Sequence, residues 1–131
     1  MLYNHSMRPS IEQWLKEARE LENAGQVGMY LTHVGQVRET ARKQVRDNIQ
    51  SAPVKGMVFS YDEEKKQYYI EQTLKMTGIF FVRAWLNNGT LSVKDDIMQV
   101  MVGADTRPHA LEAFNYLIDH LKKECVKEEE L

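Results

Sequence analysis

A strong apolar signal lies at Ile97, Met98, Val100, Met101 and Val102, interrupted only by Gln99. So short a run reads as a mostly buried strand rather than a helix. Gly103 ends it, and a polar turn of Ala104, Asp105, Thr106 and Arg107 follows. Ala110, Leu111, Phe114, Leu117, Ile118 and Leu121 then recur at i, i+3, i+4, i+7 spacing, which predicts one long amphipathic helix running to Lys127. Pro108 falls in its first turn, where the missing N–H costs nothing.

Upstream, Ser10 with Gln13 forms a capping-box pattern, and Ile11, Trp14, Leu15, Ala18 and Leu21 trace an apolar stripe that stops before Gly25. Val27, Met29, Leu31 and His33 alternate with Gly28, Tyr30, Thr32 and Val34, the period of a strand, which ends in Gly35, Gln36, Val37 and Arg38. From Arg38 to Lys55 hydrophobicity drops, and Arg38, Arg42, Lys43, Arg46 and Lys55 outnumber Glu39 and Asp47. A polar connection of this length is either a functional loop or a disordered one. A short strand is expected around Met57, Val58 and Phe59, then a helix capped by Asp62 that carries Glu63 and Glu64 in its first turn, as the helix dipole favours. Tyr69, Ile70 and Leu74 form its expected buried side, and Gly78 stops it. Ile79 to Leu86 is strand-like, and Asn88-Gly89 signals a hairpin before Thr90, Leu91, Ser92 and Val93. The order helix, strand, strand, helix, strand, hairpin, strand, helix predicts an α+β fold with about three helices and a largely antiparallel sheet.

Composition narrows the function. At 131 residues the chain suits one domain, 1–131, with a core that needs no disulfide or structural metal. Seventeen basic against nineteen acidic residues, a net charge of −2, give no bulk attraction to nucleic acid or an anionic membrane. A lone Cys125 fits a reducing cytoplasm, Met1 to Ser10 lacks the apolar core of a signal peptide, and no stretch approaches the roughly 18 apolar residues of a membrane span. A soluble cytoplasmic protein is therefore expected.

Catalytic motifs are sparse. No nucleophile elbow, phosphate loop, HExxH or paired-cysteine spacing is present, so neither a metal nor a cofactor is expected. His5, His33, His109 and His120 lack ligand spacing, and His33 on an apolar strand face reads as a hydrogen-bonded core residue. The remaining candidates are cations: Arg38 after a strand, Arg107 before a helix, and Lys122, Lys123 and Lys127 near the last helix end. A helix start beside Arg107 suits an anionic ligand, whereas the lysines equally complement the dipole of the helix they end.

The run Val34-Gly35-Gln36-Val37-Arg38 resembles the glycine-x-valine-arginine strand end of the catalytic, large subunit of molybdopterin synthase. Gly89-Thr90-Leu91-Ser92-Val93, the apolar strand, Arg107, and Ala110 through Asp119 resemble the same family's C-terminal half, in the same order, over roughly residues 10 to 127. The resemblance implies a hammerhead-type α+β fold and a homodimer. Each large subunit would receive the Gly-Gly C-terminus of a ubiquitin-like small subunit, completing a heterotetramer. It implies molybdenum cofactor biosynthesis by sulfur transfer from that thiocarboxylated tail to cyclic pyranopterin monophosphate, giving molybdopterin. Gln36, Val37, Arg38, Thr106 and Arg107 would then bind the pterin substrate, and Lys122 and Lys127 would be catalytic. Arginine forks bind phosphate bidentately, and a lysine stabilises developing negative charge. The chain departs from the family pattern in Thr106, where the family carries histidine, in the region of Leu86, between Arg38 and Tyr61, and after Cys125, where glutamates follow Lys127. Those departures motivate an alternative, a non-catalytic paralogue that binds a pterin or a ubiquitin-like partner without turnover.

Overall fold

A computed structural model describes residues 7–131, so His5 lies outside the described residues. In chain order its elements are α1 (Ile11–Arg19), β1 (Met29–Gln36), α2 (Arg42–Asp47), β2 (Gly56–Tyr61), α3 (Glu63–Leu74), β3 (Ile79–Leu86), β4 (Gly89–Ser92), β5 (Asp96–Ala104), α4 (Arg107–His120) and β6 (Val126–Glu130). A 3-10 turn at Glu22–Gln26 and a π turn at Leu121–Cys125 complete them. The strands form two antiparallel sheets of three, ordered β1-β5-β3 and β4-β2-β6. The α+β expectation holds, with α2 as a fourth helix in the polar connection. No helix among the described residues is long and apolar enough to cross a membrane.

β5 is central because both its faces are covered. Met98, Val100, Val102 and Ala104 pack against Ala110, Ala113, Leu117 and Leu121, while Met101 on the opposite face meets Phe81 and the α1 residues Trp14 and Ala18. A strand enclosed on both sides loses the apolar and polar alternation of a half-exposed one, which accounts for the continuous apolar run. Gln99 shares the buried outer side, where its Oε1 accepts a hydrogen bond from Arg8 Nη1 at 2.5 Å. The start of α1 is capped as expected, Ser10 Oγ accepting from the Gln13 amide at 3.1 Å, but the Gln13 side chain donates to Glu17 rather than closing the box.

Several elements differ from the sequence pattern, each for a physical reason. In α3 the Asp62 cap forms, its carboxylate accepting from the Lys65 amide at 3.0 Å, yet the buried side is Ile70 with Thr73. Leu74 is 41% exposed. Thr73 tolerates burial because its hydroxyl donates to the Tyr69 carbonyl at 2.6 Å. On α4 Leu111 faces outward, and the small Ala113 takes a place in the core. The Asn88-Gly89 turn makes no hairpin between β3 and β4: β3 pairs with β5, and β4 with β2. Buried Asn87 directs the chain between sheets, its amide donating to the Asp96 carbonyl and its Oδ1 accepting from the Asn88 amide, both at 2.8 Å.

The largest difference is at the C-terminal end. The expected helix to Lys127 stops at His120, opens into the π turn, and becomes β6, which pairs with β2 so that Lys127 lies opposite Ser60. Lysine and glutamate are poor strand formers, but a free sheet edge supplies a ladder that overrides that preference. The junction is tied by the Asp62 amide donating to the Cys125 carbonyl at 3.0 Å and Cys125 Sγ donating to the Asp62 carbonyl at 3.2 Å.

The two α4 leucines test which face is buried. Leu117→Ala is expected to cost about 2 to 5 kcal/mol in denaturant unfolding, as for a fully enclosed leucine. Leu111→Ala, at a position 45% exposed, is expected to stay within about 0.5 kcal/mol. Equal losses at the two positions would contradict the packing described.

Candidate functional site

A cavity of about 460 Å³ lies between the two sheets. His33, Gly35, Gln36, Ile97 and Met98 line it from the first sheet, and Met57, Phe59, Val126, Glu128 and Glu130 from the second. α2 adds Arg42, Val45 and Arg46, the chain after β1 adds Arg38, and the π turn adds Lys122. The volume is within the range of small-molecule sites. Local backbone features explain how these groups meet. The register of β1 against β5 shifts between Gly35 and Gln36, and such a bulge bends a strand and re-aims its side chains. At Gly35 a Cβ would press on the Met98 side chain and approach His33 Nε2, so glycine keeps this wall open. The π turn holds Leu121 and Cys125 in the core while Lys122 reaches the cavity.

Four basic side chains, Arg38, Arg42, Arg46 and Lys122, share the cavity with two carboxylates, Glu128 and Glu130. A confined space with surplus positive charge attracts anions although the chain as a whole is slightly acidic. Arg38 is steadied by its Nε donating to the Thr40 carbonyl at 2.8 Å. Glu130 accepts from the Arg42 backbone N–H at 3.0 and 3.3 Å. The nearby Glu124 is engaged elsewhere, accepting the Tyr69 hydroxyl, and that hydrogen bond to a carboxylate pushes the Tyr69 pKa up to about 12. Burial, and secondarily the charge of Lys122, hold the His33 imidazole below its ordinary pKa of 6.5. Its ring meets Phe114 edge-on at 5.6 Å, and among the described residues it has no hydrogen-bond partner, contrary to the expectation of a satisfied core histidine.

The residues anticipated from sequence fall in four places. Gln36, Arg38 and Lys122 come together in the cavity. Val37 is wholly buried beside them, its backbone amide donating to the Asp95 carbonyl at 2.9 Å. Lys127 lies on β6 between the lining residues Val126 and Glu128, and alternation along a strand sends its side chain to the other face. Thr106 and Arg107 stand at the start of α4, some fifteen residues before Lys122 and so roughly 20 Å away along the helix. There Asp105 Oδ1 accepts from the Thr106 amide at 2.6 Å and pairs with His109 Nδ1 at 2.7 Å, and the hydrogen bond from His109 holds the Asp105 carboxyl below its usual range. Gly78, at φ +76°, fits against this pair, where a side chain would overlap both partners.

The family model described as MoaE protein matches residues 10–124. The chain belongs to the MoaE family. It is a divergent member of this family of molybdopterin synthase catalytic subunits, whose role lies in molybdenum cofactor biosynthesis. The chain is 31% identical over 100 residues to the uncharacterized protein MJ0717 of Methanocaldococcus jannaschii, covering 76% of this chain and 81% of that protein. Its fold resembles molybdopterin synthase from Staphylococcus aureus, with a TM-score of 0.72 at 18% identity over 95% of this chain and 87% of that one. It also resembles a chain in the complex of subunits 1 and 2 of molybdopterin-converting factor from Helicobacter pylori, with a TM-score of 0.65 at 16% identity over 94% and 79% of the two chains.

Sequence reasoning missed His33, Arg42, Arg46, Glu128 and Glu130 as neighbours of Lys122 in this MoaE-family cavity. The i, i+4 spacing of Arg42 and Arg46 was a usable signal, since it sets both on one helix side. For Glu128 and Glu130 no signal existed without knowing that β6 is a strand.

The link between His33 and Lys122 is testable without any substrate. In an NMR titration His33 is expected to change charge below pH 6.5, and Lys122→Gln is expected to move its pKa part of the way back, because burial remains the larger cause. A depressed pKa means the unfolded chain binds the proton more readily, so His33 makes stability fall as pH drops below 6.5. A His33 pKa unmoved by Lys122→Gln would separate the two residues.

Proposed function

We propose that this protein is the catalytic subunit of a molybdopterin synthase, transferring sulfur from the thiocarboxylated Gly-Gly C-terminus of a ubiquitin-like small subunit to cyclic pyranopterin monophosphate. The observation that carries the reading is the convergence of Arg38, Gln36 and Lys122 in one cavity whose basic groups outnumber its carboxylates. Arg38 offers a guanidinium fork to an anionic part of the pterin. In this reading the thiocarboxylate sulfur bonds to a pterin carbon, water then cleaves the bond between that sulfur and the tail's carbonyl carbon to leave a carboxylate on the tail, and Lys122 stabilises the negative charge that develops on the carbonyl oxygen. The small-subunit partner is supported by the Helicobacter pylori relative, which is a two-subunit complex.

The active assembly in this reading is a homodimer, and with two small subunits a heterotetramer, working in the cytoplasm. Arg107 and Thr106 cannot reach a ligand at Lys122 within one chain, so their part in substrate binding requires a second copy to present its α4 start. Lys127, which does not line the cavity, can act only at the surface where the tail would approach. A monomeric mass across micromolar concentrations in sedimentation would count against the dimer.

Two observations favour the second reading, a paralogue that binds pterin or partner without turnover: Thr106 has no titratable group, and Glu128 and Glu130 bring negative charge into the cavity. Reconstitution with a cognate thiocarboxylated small subunit and the cyclic precursor decides between them. Product is expected. Binding of precursor and small subunit by calorimetry without product, where an authentic large subunit works, would establish the paralogue. Lys122→Ala is expected to lower sulfur transfer on the order of 100-fold or more in a folded protein, as loss of a preorganised charge does. Lys123→Ala, outside the cavity lining, should leave it unchanged, and equal effects would remove Lys122 from the active site.

A further inference from the structure

We infer that α2 forms a phosphate-binding wall of the cavity, with Arg42 and Arg46 gripping a phosphate group of the ligand. The inference deepens the sulfur-transfer reading and rests on it for the identity of the ligand. Arg42 and Arg46 stand four residues apart, so one side of α2 presents both, and both line the cavity. Neither guanidinium makes an ion pair or a side-chain hydrogen bond among the described residues, whereas Arg83 is engaged by Glu17 and Arg8 by Asp96 and Gln99.

The Glu130 carboxylate accepts the backbone N–H of Arg42 and leaves its guanidinium uncommitted. Two free guanidinium forks match the several oxygens of a phosphate, and their planar donors make bidentate bonds that a lysine cannot. Arg38 has one donor committed to Thr40 and stands nearer the β1 end, and Lys122 comes from a separate element. The two kinds of cation therefore divide the work: α2 holds the phosphate, leaving Lys122 for the reacting end of the ligand. The segment that carries these arginines is one of those in which the chain departs from the family's sequence pattern, so the assignment belongs to this chain.

The experiment uses the full chain and inorganic phosphate as probe, by calorimetry at low ionic strength. Saturable binding is expected, weakened at least tenfold in the double variant Arg42→Gln/Arg46→Gln and unchanged in Lys123→Ala. Glutamine keeps helix-forming character, and circular dichroism checks that α2 and the fold persist. No saturable phosphate binding by the wild type, or equal binding by the folded double variant, overturns the inference. Turnover in the reconstituted synthase is read separately, where the double variant should raise KM for the cyclic precursor with little change in kcat. Turnover without a phosphate effect leaves the sulfur-transfer reading intact and removes α2 from it. A phosphate effect without wild-type turnover keeps the α2 site and removes that reading.

Discussion

The enclosure of β5 on both faces is the constraint on which the rest depends. With Val100, Met101, Val102 and Ala104 wholly shielded, the strand must have β1 and β3 on its edges, α4 over one face and α1 over the other. That arrangement fixes where α4 begins and points it across the sheet, and hence where its far end delivers Leu121 and Lys122. The second sheet has no comparable core of its own. Met57, Phe59 and Leu91 pack into the same cluster as β5 and α4, so the second sheet is held by the first, and the cavity is the part of the boundary between them left unfilled.

The elements legible in the sequence were those whose own apolar pattern or cap residue states how they are covered. β3 follows its apolar run from Ile79 to Leu86, and α1 and α3 begin at the expected caps, Ser10 and Asp62. Elements decided by pairing with distant chain were not legible. Val126 to Glu130 carries four charged residues in five and becomes a strand only because β2 offers a free edge. Asn88-Gly89 has the chemistry of a hairpin turn, yet β3 is already satisfied by β5, so β4 must find β2 instead. Leu74 and Leu111 were misplaced because periodicity gives a stripe but does not say which edge of it meets the core.

The same division applies to the site. Gln36, Arg38 and Lys122 were visible as an ordered resemblance, and the fold gathers them. Their electrostatic setting was not visible, because a net charge of −2 says nothing about a cavity where four basic groups meet two carboxylates. Pairing removes other acids from the balance: Glu17 is bound to Arg83 at 2.5 Å, Glu63 to Lys66 at 3.0 Å, and Glu124 to the Tyr69 hydroxyl. What a ligand would sense is the remainder, and that depends on contacts between residues far apart in sequence.

α4 sets a final limit on what one chain can do. Its start is locked by the Asp105–His109 pair against Gly78, and its other end is locked where Leu121 enters the core and the π turn hands the chain to β6. A helix fixed at both ends cannot bend to bring Arg107 to Lys122, and roughly 20 Å of separation exceeds the reach of both side chains together. Nor does His109 restore at the cavity the imidazole missing at Thr106, because its Nδ1 is committed to Asp105 at the distant end. In the sulfur-transfer reading, a proton-transfer group for Lys122 would therefore come from within the cavity, where His33 supplies an imidazole, or from another molecule that brings its own.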